Sequence, residues 1–312
     1  MNIFVTGGAG FIGSYMVDKL IDKHEVSVFD NLSTGSLSFI KKHMDTKNFH
    51  FIKGDIKDLN TLKRSMSNMD LVIHLAANPD VRLGVKDSSI DLKEGIIGTY
   101  NVVEAMRLNS INNIIFSSSS VVYGDAKILP TPENYGPLMP ISIYGASKLS
   151  AESLISAFVG SFGMKAWIYR FANVIGERST HGVIFDFIKK LHRDNKELEV
   201  LGNGKQRKSY ILAEDCVDAM LFGYEHRSNS INLFNIGAED QISVSKISEI
   251  VIEAVKCNAG IRYTGTERGW PGDVINQHLD IKKLKELGWR PRYSSEEAVR
   301  ITAKKIAELY NE

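Results

Sequence analysis

Short apolar runs alternate with amphipathic segments through the first half of the chain. The runs have the length of buried strands, whereas the segments between them repeat apolar residues at helical spacing. The runs predict strands over Asn2 to Thr6, Val26 to Asp30, Phe49 to Lys53, Leu71 to Ala76, Asn113 to Ser118 and Lys165 to Phe171. The segments predict helices over Phe11 to Ile21, Leu59 to Met66, Asp91 to Leu108 and Tyr144 to Phe162. This alternation indicates an α/β fold, a doubly wound parallel sheet with helices on both faces.

The alternation loosens after Phe171, and the second half is richer in loops. We therefore predict a Rossmann domain over 1–172, to which the chain returns near 207–237, and a smaller α/β domain over 173–312. Ligands of such sheets bind at the carboxyl ends of the strands, so we expect the second domain to cover that edge.

Composition narrows the class of protein. The 312 residues are 43% apolar and 24% charged, as in ordinary globular proteins, and a net charge of +1 gives no sign of nucleic-acid binding. No apolar run reaches the ~18 residues of a membrane span. Cys216 and Cys257 have neither disulfide nor zinc spacing, and the histidines form no H-x-x-x-H pair. We therefore expect no metal and a reduced, cytoplasmic protein.

A glycine-rich turn follows the first predicted strand. Gly8, Gly10 and Gly13 fit G-x-G-x-x-G, and Gly7 with the last two fits the G-x-x-G-x-x-G variant. Such glycines allow a tight turn and the close approach of a pyrophosphate, which then faces a helix N-terminus. Asp30 lies 20 residues after Gly10, where an acid can bind both ribose hydroxyls. Its charge would repel a 2′-phosphate, so we expect NAD rather than NADP.

Tyr144 and Lys148 lie at the start of a predicted helix and share one of its faces. A free tyrosine titrates near ~10, and we expect an ammonium one turn away to lower that pKa until Tyr144 can exchange a proton at neutral pH. Four serines, Ser117 to Ser120, end a predicted strand, and a hydroxyl there can share a proton with Tyr144 and a substrate. Tyr-x-x-x-Lys alone is a weak pattern, because surface pairs show the same spacing.

Taken together, these three features resemble the extended short-chain dehydrogenase/reductase family. Within that family the closest similarity is to UDP-glucose (UDP-galactose) 4-epimerases of the compact prokaryotic type, and it covers nearly the whole chain. It is carried by Thr6 to Gly13, Phe29 to Gly35, Gly54 to Ile56, His74 to Ala77, Ser117 to Gly124, Tyr144 to Lys148, Arg170 to Gly176 and Arg268 to Val274. The resemblance implies an NAD-dependent isomerase that inverts C4 of a UDP-hexose through a 4-keto intermediate, with a nucleotide-sugar-binding domain over 173–312.

The resemblance also assigns site residues, position by position. The catalytic residues fall on Ser119, Tyr144 and Lys148. The cofactor-binding residues are Tyr144 and Lys148 together with Gly7, Gly10, Phe11, Ile12, Gly13, Asp30, Asn31, Ser33, Gly35, Asp55, Ile56, Ala76 and Ala77. The substrate-binding residues are Ser119, Asn173, Val183, Ile184, Phe185, Lys208, Arg268, Asp273 and Gln277.

Within the substrate-binding set the implied roles differ. Asn173 and Lys208 would contact the diphosphate, Arg268 and Asp273 the diphosphate and ribose, and residues 183–185 the uracil. Lys208 stands where arginine is more usual, so the charge is kept but the bidentate fork is lost.

Two further departures concern the cofactor site. Gly95 stands in place of an asparagine near the cofactor, and Ile143 replaces the proline that often precedes the catalytic tyrosine. We expect looser cofactor contacts with activity retained.

The implied specificity gate falls on Gln277, four residues after Asp273. Relatives restricted to plain hexoses often have tyrosine there, whose ring fills the space of an acetamido group. Glutamine is shorter, and its amide can hydrogen-bond that group, so UDP-N-acetylhexosamines are expected as further substrates. The alternative is that Gln277 lies on a surface loop and selects nothing.

Other functions on this fold stay open. Related dehydratases and decarboxylases place acids beside the catalytic hydroxyl, whereas Ser120 and Val121 cannot titrate. A catalytically silent NAD-sensing regulator would be expected to lack Tyr144 or Lys148. A reductase would consume free cofactor instead of retaining it.

A homodimer is also implied by the resemblance. Relatives form a four-helix interface from the helices that correspond to Asp91 to Leu108 and Tyr144 to Phe162. These helices carry more apolar residues than one sheet contact needs, including Ile96, Val103, Leu149, Leu154 and Phe158. The alternative is that all of them face the sheet.

Overall fold

A computed structural model describes residues 1–311 of the protein. The strands are β1 (Asn2–Thr6), β2 (Glu25–Asp30), β3 (Phe49–Lys53), β4 (Leu71–His74), β5 (Asn113–Ser119), β6 (Lys165–Phe171), β7 (Asn173–Ile175), β8 (Glu197–Val200), β9 (Arg207–Lys208), β10 (Tyr210–Leu212), β11 (Ile231–Ile236), β12 (Ile242–Ser243), β13 (Gly260–Tyr263) and β14 (Asn276–Gln277). The helices are α1 (Phe11–Leu20), α2 (Leu59–Ser65), α3 (Leu83–Lys86), α4 (Ser89–Asp91), α5 (Gly98–Leu108), α6 (Ile143–Phe162), α7 (Val183–Arg193), α8 (Ala213–His226), α9 (Val244–Val255), α10 (Lys282–Leu287) and α11 (Ser295–Asn311).

The largest sheet has seven strands in the order β11-β6-β5-β4-β1-β2-β3. β1 pairs in parallel with β2 and β4, and the pairs β2–β3 and β4–β5 are parallel as well. The chain moves outward from β1 to β3 and then returns to β4 beside β1, so the strand order reverses there. In a doubly wound sheet the carboxyl ends of the strands at this reversal form the ligand site. The α/β class and the parallel sheet expected from the alternation are confirmed.

Some element boundaries differ from the predictions in ways that affect the site. β4 ends at His74, so Ala76 lies in the loop after the strand rather than in it. The predicted long helix over Asp91 to Leu108 contains a π-helical turn, Leu92–Ile97, between α4 and α5. Turns of this kind are rare and are found mostly at functional sites.

The chain divides into two compact units. The first consists of Met1–Val122, Ile143–Arg170 and Val217–Phe234. The second consists of Tyr123–Ser142, Phe171–Cys216 and Asn235–Glu312, of which Glu312 lies outside the described residues.

Each unit has its own hydrophobic core. In the first, α5 and α6 bury residues such as Met106 and Ile155 together with Phe4 and Phe116 of the sheet. Val103 is fully buried in this core, so it is not one of the apolar side chains that α5 leaves for a second contact. In the second unit α7, α9 and α11 pack their apolar faces together, with residues such as Ile188 at the centre. No helix within residues 1–311 is long and apolar enough to cross a lipid bilayer.

Candidate active site

The glycine turn after β1 is closed too tightly for side chains. Gly7 has a φ of +70°, and a Cβ on it would lie 2.7 Å from the backbone nitrogen of Ala76. A Cβ on Gly13 would lie 2.0 Å from the carbonyl oxygen of Gly7. Gly10 caps α1, and its N–H donates to that same carbonyl at 3.0 Å. The turn and the free N–H groups of the first turn of α1 therefore fit a pyrophosphate.

Asp30 ends β2 and is buried. Its carboxylate accepts hydrogen bonds from the backbone N–H groups of Ala9 at 3.0 Å and Leu32 at 2.8 Å. Burial raises the pKa of Asp30 in spite of these two bonds. A Cβ on Gly35 would lie 3.1 Å from a carboxylate oxygen, so this residue must stay small. Each oxygen keeps a further lone pair, which fits a carboxylate that binds ribose hydroxyls.

Most other residues assigned to the cofactor lie in the loops after the first four strands or at the start of α1. The Asn31 amide donates to Asp55 at 3.2 Å and accepts from the backbone of Ser33 at 2.9 Å, so these loops are joined. Ile56 is buried, Ser33 is exposed, and the remaining residues of the set are half-buried; these are Phe11, Ile12, Ala76 and Ala77. The four strands β1 to β4 are neighbours in the sheet, which brings their loops together.

The serine run at the end of β5 contains one hydroxyl that differs from its neighbours. Ser117 donates to the His74 carbonyl at 3.3 Å, and Ser118 donates to the buried carboxylate of Glu152. Ser119 is half-buried, and its hydroxyl accepts a weak bond from Val121 N–H at 3.4 Å. Among residues 1–311, the Ser119 hydroxyl donates to no protein group, so its proton is free for a ligand.

Tyr144 lies in the first turn of α6, and within residues 1–311 its hydroxyl has no hydrogen-bond partner. Lys148 lies one turn later, with its ammonium 5.8 Å from the centre of the Tyr144 ring. The expectation that Lys148 lowers the tyrosine pKa is wrong for the protein alone. Burial and the negative charge of Asp91 raise the pKa of Tyr144 instead.

Lys148 is buried, and its ammonium donates to the carbonyl of Ser117 at 2.6 Å. Burial lowers the pKa of Lys148 to about 8, although the charges of Glu152 and Asp91 oppose the shift. Near neutral pH Lys148 is therefore mostly charged, although the pH lies only slightly below its pKa. Burial of the phenol and the charge of Asp91 outweigh this ammonium, so the pKa of Tyr144 is raised.

In the second unit the residues assigned to the nucleotide contact one another. Lys208 forms a buried ion pair with Asp273 at 2.5 Å, and its ammonium lies 5.2 Å from the centre of the Trp270 ring. Arg268 donates to the carbonyl of Asp273 and forms an ion pair with Asp125 at 2.7 Å. Two cations thus lie close together, each beside a carboxylate, which fits a site for a diphosphate.

Asn173 and Gln277 are also adjacent. The Asn173 amide donates to the Gln277 side-chain oxygen at 3.3 Å, and Ser209 N–H donates to the same oxygen at 3.2 Å. Gln277 is 7% exposed, and its Nε2 group is buried without a partner in the described part of the chain. A buried unpaired donor is costly, so this amide is suited to a water or ligand acceptor.

Residues 183–185 begin α7, after Gly182 with a φ of +100°. Ile184 belongs to the core of the second unit, and the Phe185 ring packs against Tyr310 at 5.9 Å. Their side chains are therefore engaged in packing, and Ile184 can offer a ligand its backbone alone.

Sequence reasoning missed several residues that surround these groups. Asp91 and Asn78 lie in segments without a recognisable motif, and their hydrogen bond spans 13 residues. Asp125 directly follows the segment Ser117 to Gly124, and Trp270 lies inside Arg268 to Val274, so both lie in or beside segments that carry the family resemblance. Residues 1–311 contain no group of three or more His, Cys, Asp or Glu side chains placed to bind a metal ion.

Comparison with known proteins gives consistent matches over nearly the whole chain. The sequence profile of the NAD dependent epimerase/dehydratase family matches residues 3–237. A solved UDP-galactose 4-epimerase is 40% identical, with a TM-score of 0.88 and 99% of both chains covered. A UDP-glucose 4-epimerase from Thermotoga maritima, solved with UDP-glucose, is 34% identical, with a TM-score of 0.89, 99% of this chain and 100% of that chain covered. A UDP-glucuronic acid decarboxylase of Arabidopsis thaliana is 32% identical over 96% of this chain and 87% of its own length.

Proposed function

The chain belongs to the NAD dependent epimerase/dehydratase family, and we propose that it inverts carbon 4 of a UDP-hexose, interconverting UDP-galactose and UDP-glucose through a 4-keto intermediate. The family match and the similar epimerases confirm three predictions from the sequence: the extended short-chain dehydrogenase/reductase resemblance, an isomerase of the UDP-glucose 4-epimerase type, and NAD as cofactor. The substrate and the residue roles are the proposal.

The observation that carries the proposal is a group of three side chains at the end of β5 and the start of α6. We call Ser119, Tyr144 and Lys148 the proton relay. Within residues 1–311 the hydroxyl proton of Ser119 and the hydroxyl of Tyr144 have no protein partner, and Lys148 lies one turn from Tyr144. The positions after Ser119 hold Ser120 and Val121, and neither is the titratable acid or base that loss of water or carbon dioxide additionally needs. Epimerisation needs no additional acid.

Each residue of the relay has a separate task. NAD, held by the glycine turn after β1 and by Asp30, would supply the redox chemistry at carbon 4 of the sugar. Tyr144 takes the proton of the 4-hydroxyl, directly or through Ser119, and gives it back after the sugar has turned. Lys148 supplies positive charge beside the phenol, and the carbonyl of Ser117 holds the ammonium in place. Lys208 and Arg268 would retain the diphosphate while the flat 4-keto sugar turns.

The test is to incubate the purified protein with UDP-galactose and separate the sugar nucleotides. We expect UDP-glucose to form without net consumption of added NAD, and NAD to remain with the purified protein. Absence of UDP-glucose at every pH would refute the proposal. Cofactor consumed in step with product would indicate a reductase, and NAD binding without turnover would indicate a regulator.

We further propose that the site accepts UDP-N-acetylhexosamines, with Gln277 as the specificity residue. Gln277 is buried beside Asn173 and has an unpaired amide donor, which supports a role at a ligand rather than on a loose surface loop. That donor matches the carbonyl of an acetamido group.

The discriminating experiment compares kcat/KM for UDP-glucose and UDP-N-acetylglucosamine in wild type and Gln277→Tyr. We expect a selective loss on the acetylated sugar. The matched control is Asn276→Tyr, because Asn276 is the exposed neighbour in β14. An equal loss on both sugars, or none, would show that Gln277 is not the gate.

A homodimer through α5 and α6 is proposed as well. Ile97, Tyr100 and Phe162 are each more than 40% exposed, and the Phe158 ring links the last two at 6.3 and 5.1 Å. An exposed apolar cluster of this kind is typical of an interface.

Light scattering should show a dimer of the wild type at micromolar concentration and a monomer of Phe162→Asp. The control is Ile128→Asp, which changes an exposed apolar residue elsewhere and should leave the dimer intact. A monomeric wild type would refute the proposal.

The cytoplasm is the proposed compartment. Both cysteines, the buried Cys216 and the half-buried Cys257, are free thiols. Free thiols persist in a reducing compartment.

A further inference from the structure

Asp91 is a buried acid that the proposed mechanism does not use. It ends α4, where the π-helical turn begins, and its side chain is 1% exposed. One carboxylate oxygen accepts a hydrogen bond from the Asn78 amide at 2.9 Å. The other oxygen, Oδ2, has no partner within residues 1–311. Burying a carboxylate with a single hydrogen bond is costly, and burial raises the pKa of Asp91.

The unpaired oxygen lies on the side of the catalytic helix. A Cβ on Gly84 would lie 2.6 Å from Oδ2 of Asp91 and 3.3 Å from Cβ of Ile143. Ile143 begins α6 and directly precedes Tyr144, and α3 and α4 both pack against α6. Gly84 thus leaves room for Asp91 to face the first turn of the catalytic helix.

We propose that Asp91 is a positioning residue of the proton relay: its buried carboxylate, held by Asn78 and facing the start of α6, sets the charge of Tyr144 and Lys148. The inference rests on the proposed function, because it assigns the reaction to that relay. The negative charge of Asp91 favours the protonated form of both groups. It therefore keeps Lys148 charged and keeps the proton on Tyr144 until a positive charge enters the site.

The other charges near the relay do not act on both groups: Glu152 also raises the pKa of Lys148, whereas the charge that raises the pKa of Tyr144 is that of Asp91. Glu152 lies on α6 itself and is held by a buried ion pair with Arg170 at 2.7 Å. His74 on β4 is neutral, because burial and the charge of Lys148 lower its pKa to about 3. Asp91 is thus the acid that acts on both relay residues, since its charge raises the pKa of each.

The test is a direct titration of the phenol. Phenolate absorbance is followed from about pH 6 to 10 in the NAD-bound protein, with Tyr144→Phe as the blank, and the pH profile of kcat/KM is recorded in parallel. In Asp91→Asn the carboxylate is replaced by an amide of the same shape. We expect the phenolate titration and both limbs of the profile to move to lower pH by about one unit, the shift typical of a nearby buried charge.

The control is Glu94→Gln, which removes a negative charge from the same helical stretch. Glu94 forms an ion pair with Lys57, so this change should leave the titration of Tyr144 unchanged. If Asp91→Asn does not fold, Asp91→Ser is used, because it also removes the carboxylate and should move the titration in the same direction. The inference is overturned if neither variant moves the phenol titration further than Glu94→Gln does. A shifted titration in a protein without epimerase activity would leave the inference standing and refute the proposed function.

Discussion

Two helical glycines allow a sharp test of the cofactor turn. Gly13 lies in α1 and Gly160 in α6, and neither has a positive φ. A Cβ on Gly13 would lie 2.0 Å from the Gly7 carbonyl oxygen and 2.7 Å from the Gly8 Cα. A Cβ on Gly160 would meet nothing within 4 Å. Substitution by alanine should therefore have opposite effects at the two sites.

The expected magnitudes follow from these distances. Alanine is favoured over glycine inside a helix by about 1 kcal/mol, and Gly160→Ala should gain about that much. In Gly13→Ala the same gain is opposed by an overlap of more than an ångström with backbone atoms, which cannot rotate away. Overpacking costs about 1–3 kcal/mol and sometimes more, and this overlap belongs at the upper end. We expect Gly13→Ala to lose about 2 kcal/mol or more of the free energy of unfolding.

Urea unfolding at a fixed NAD concentration measures both variants, and NAD content measures the turn itself. Gly13→Ala should unfold at lower urea than wild type and lose bound NAD, whereas Gly160→Ala should unfold at higher urea and keep it. Gly10→Ala, with a Cβ 3.1 Å from the Gly7 oxygen, should fall between them. Equal stability and equal NAD content in the Gly13 and Gly160 variants would contradict the assigned role of the turn.

Three further predictions concern buried groups of the first unit. Tyr144→Phe should lower kcat by at least the ~10²–10⁴-fold typical of a general acid–base group while NAD stays bound, and near-normal turnover would rule out its role. His74 has a pKa lowered from 6.5 to about 3, so the unfolded chain binds more protons between those values, and stability is lost as the pH falls. Between pH 7 and 5 this loss is about 2 kcal/mol, and His74→Gln should abolish it in urea unfolding. Arg170→Met leaves Glu152 buried without its ion-pair partner and should cost about 3–5 kcal/mol of unfolding free energy, with a smaller cost when Glu152→Met is added.

Sequence patterns predicted those features of the fold that depend only on residues close together in the chain. The apolar runs located β1 and β6 to the residue, because a strand buried on both faces of a parallel sheet is a nearly continuous apolar run. The glycine spacing indicated a turn that only glycine can form, and the structure gives the reason in the Gly7 and Gly13 contacts. These features are fixed within a few residues of sequence, so they can be read from it.

Features that depend on distant contacts could not be predicted in this way. Asn173 and Gln277 are 104 residues apart, and only the resemblance to the family assigned both of them to the substrate. The short stretch Tyr123–Ser142 belongs to the second unit although it lies inside the first half of the chain. The spacing of Tyr144 and Lys148 was evident, but their burial and the acid at Asp91 were not, and these reverse the expected direction of the tyrosine pKa.

The charge balance around Tyr144 implies that the relay is inactive in the protein without cofactor. Burial and Asp91 raise the pKa of Tyr144, and Lys148, with its own pKa lowered to about 8, compensates poorly. A phenol in this environment keeps its proton at neutral pH and cannot act as a base. NAD carries a positive charge on its nicotinamide ring, and a nearby positive charge favours the phenolate. Phenolate absorbance at neutral pH should therefore be weak in NAD-free protein, rise when NAD is added and be absent from Tyr144→Phe. If NAD-free protein already shows the full phenolate signal, then Lys148 alone suffices and this account of the relay is wrong.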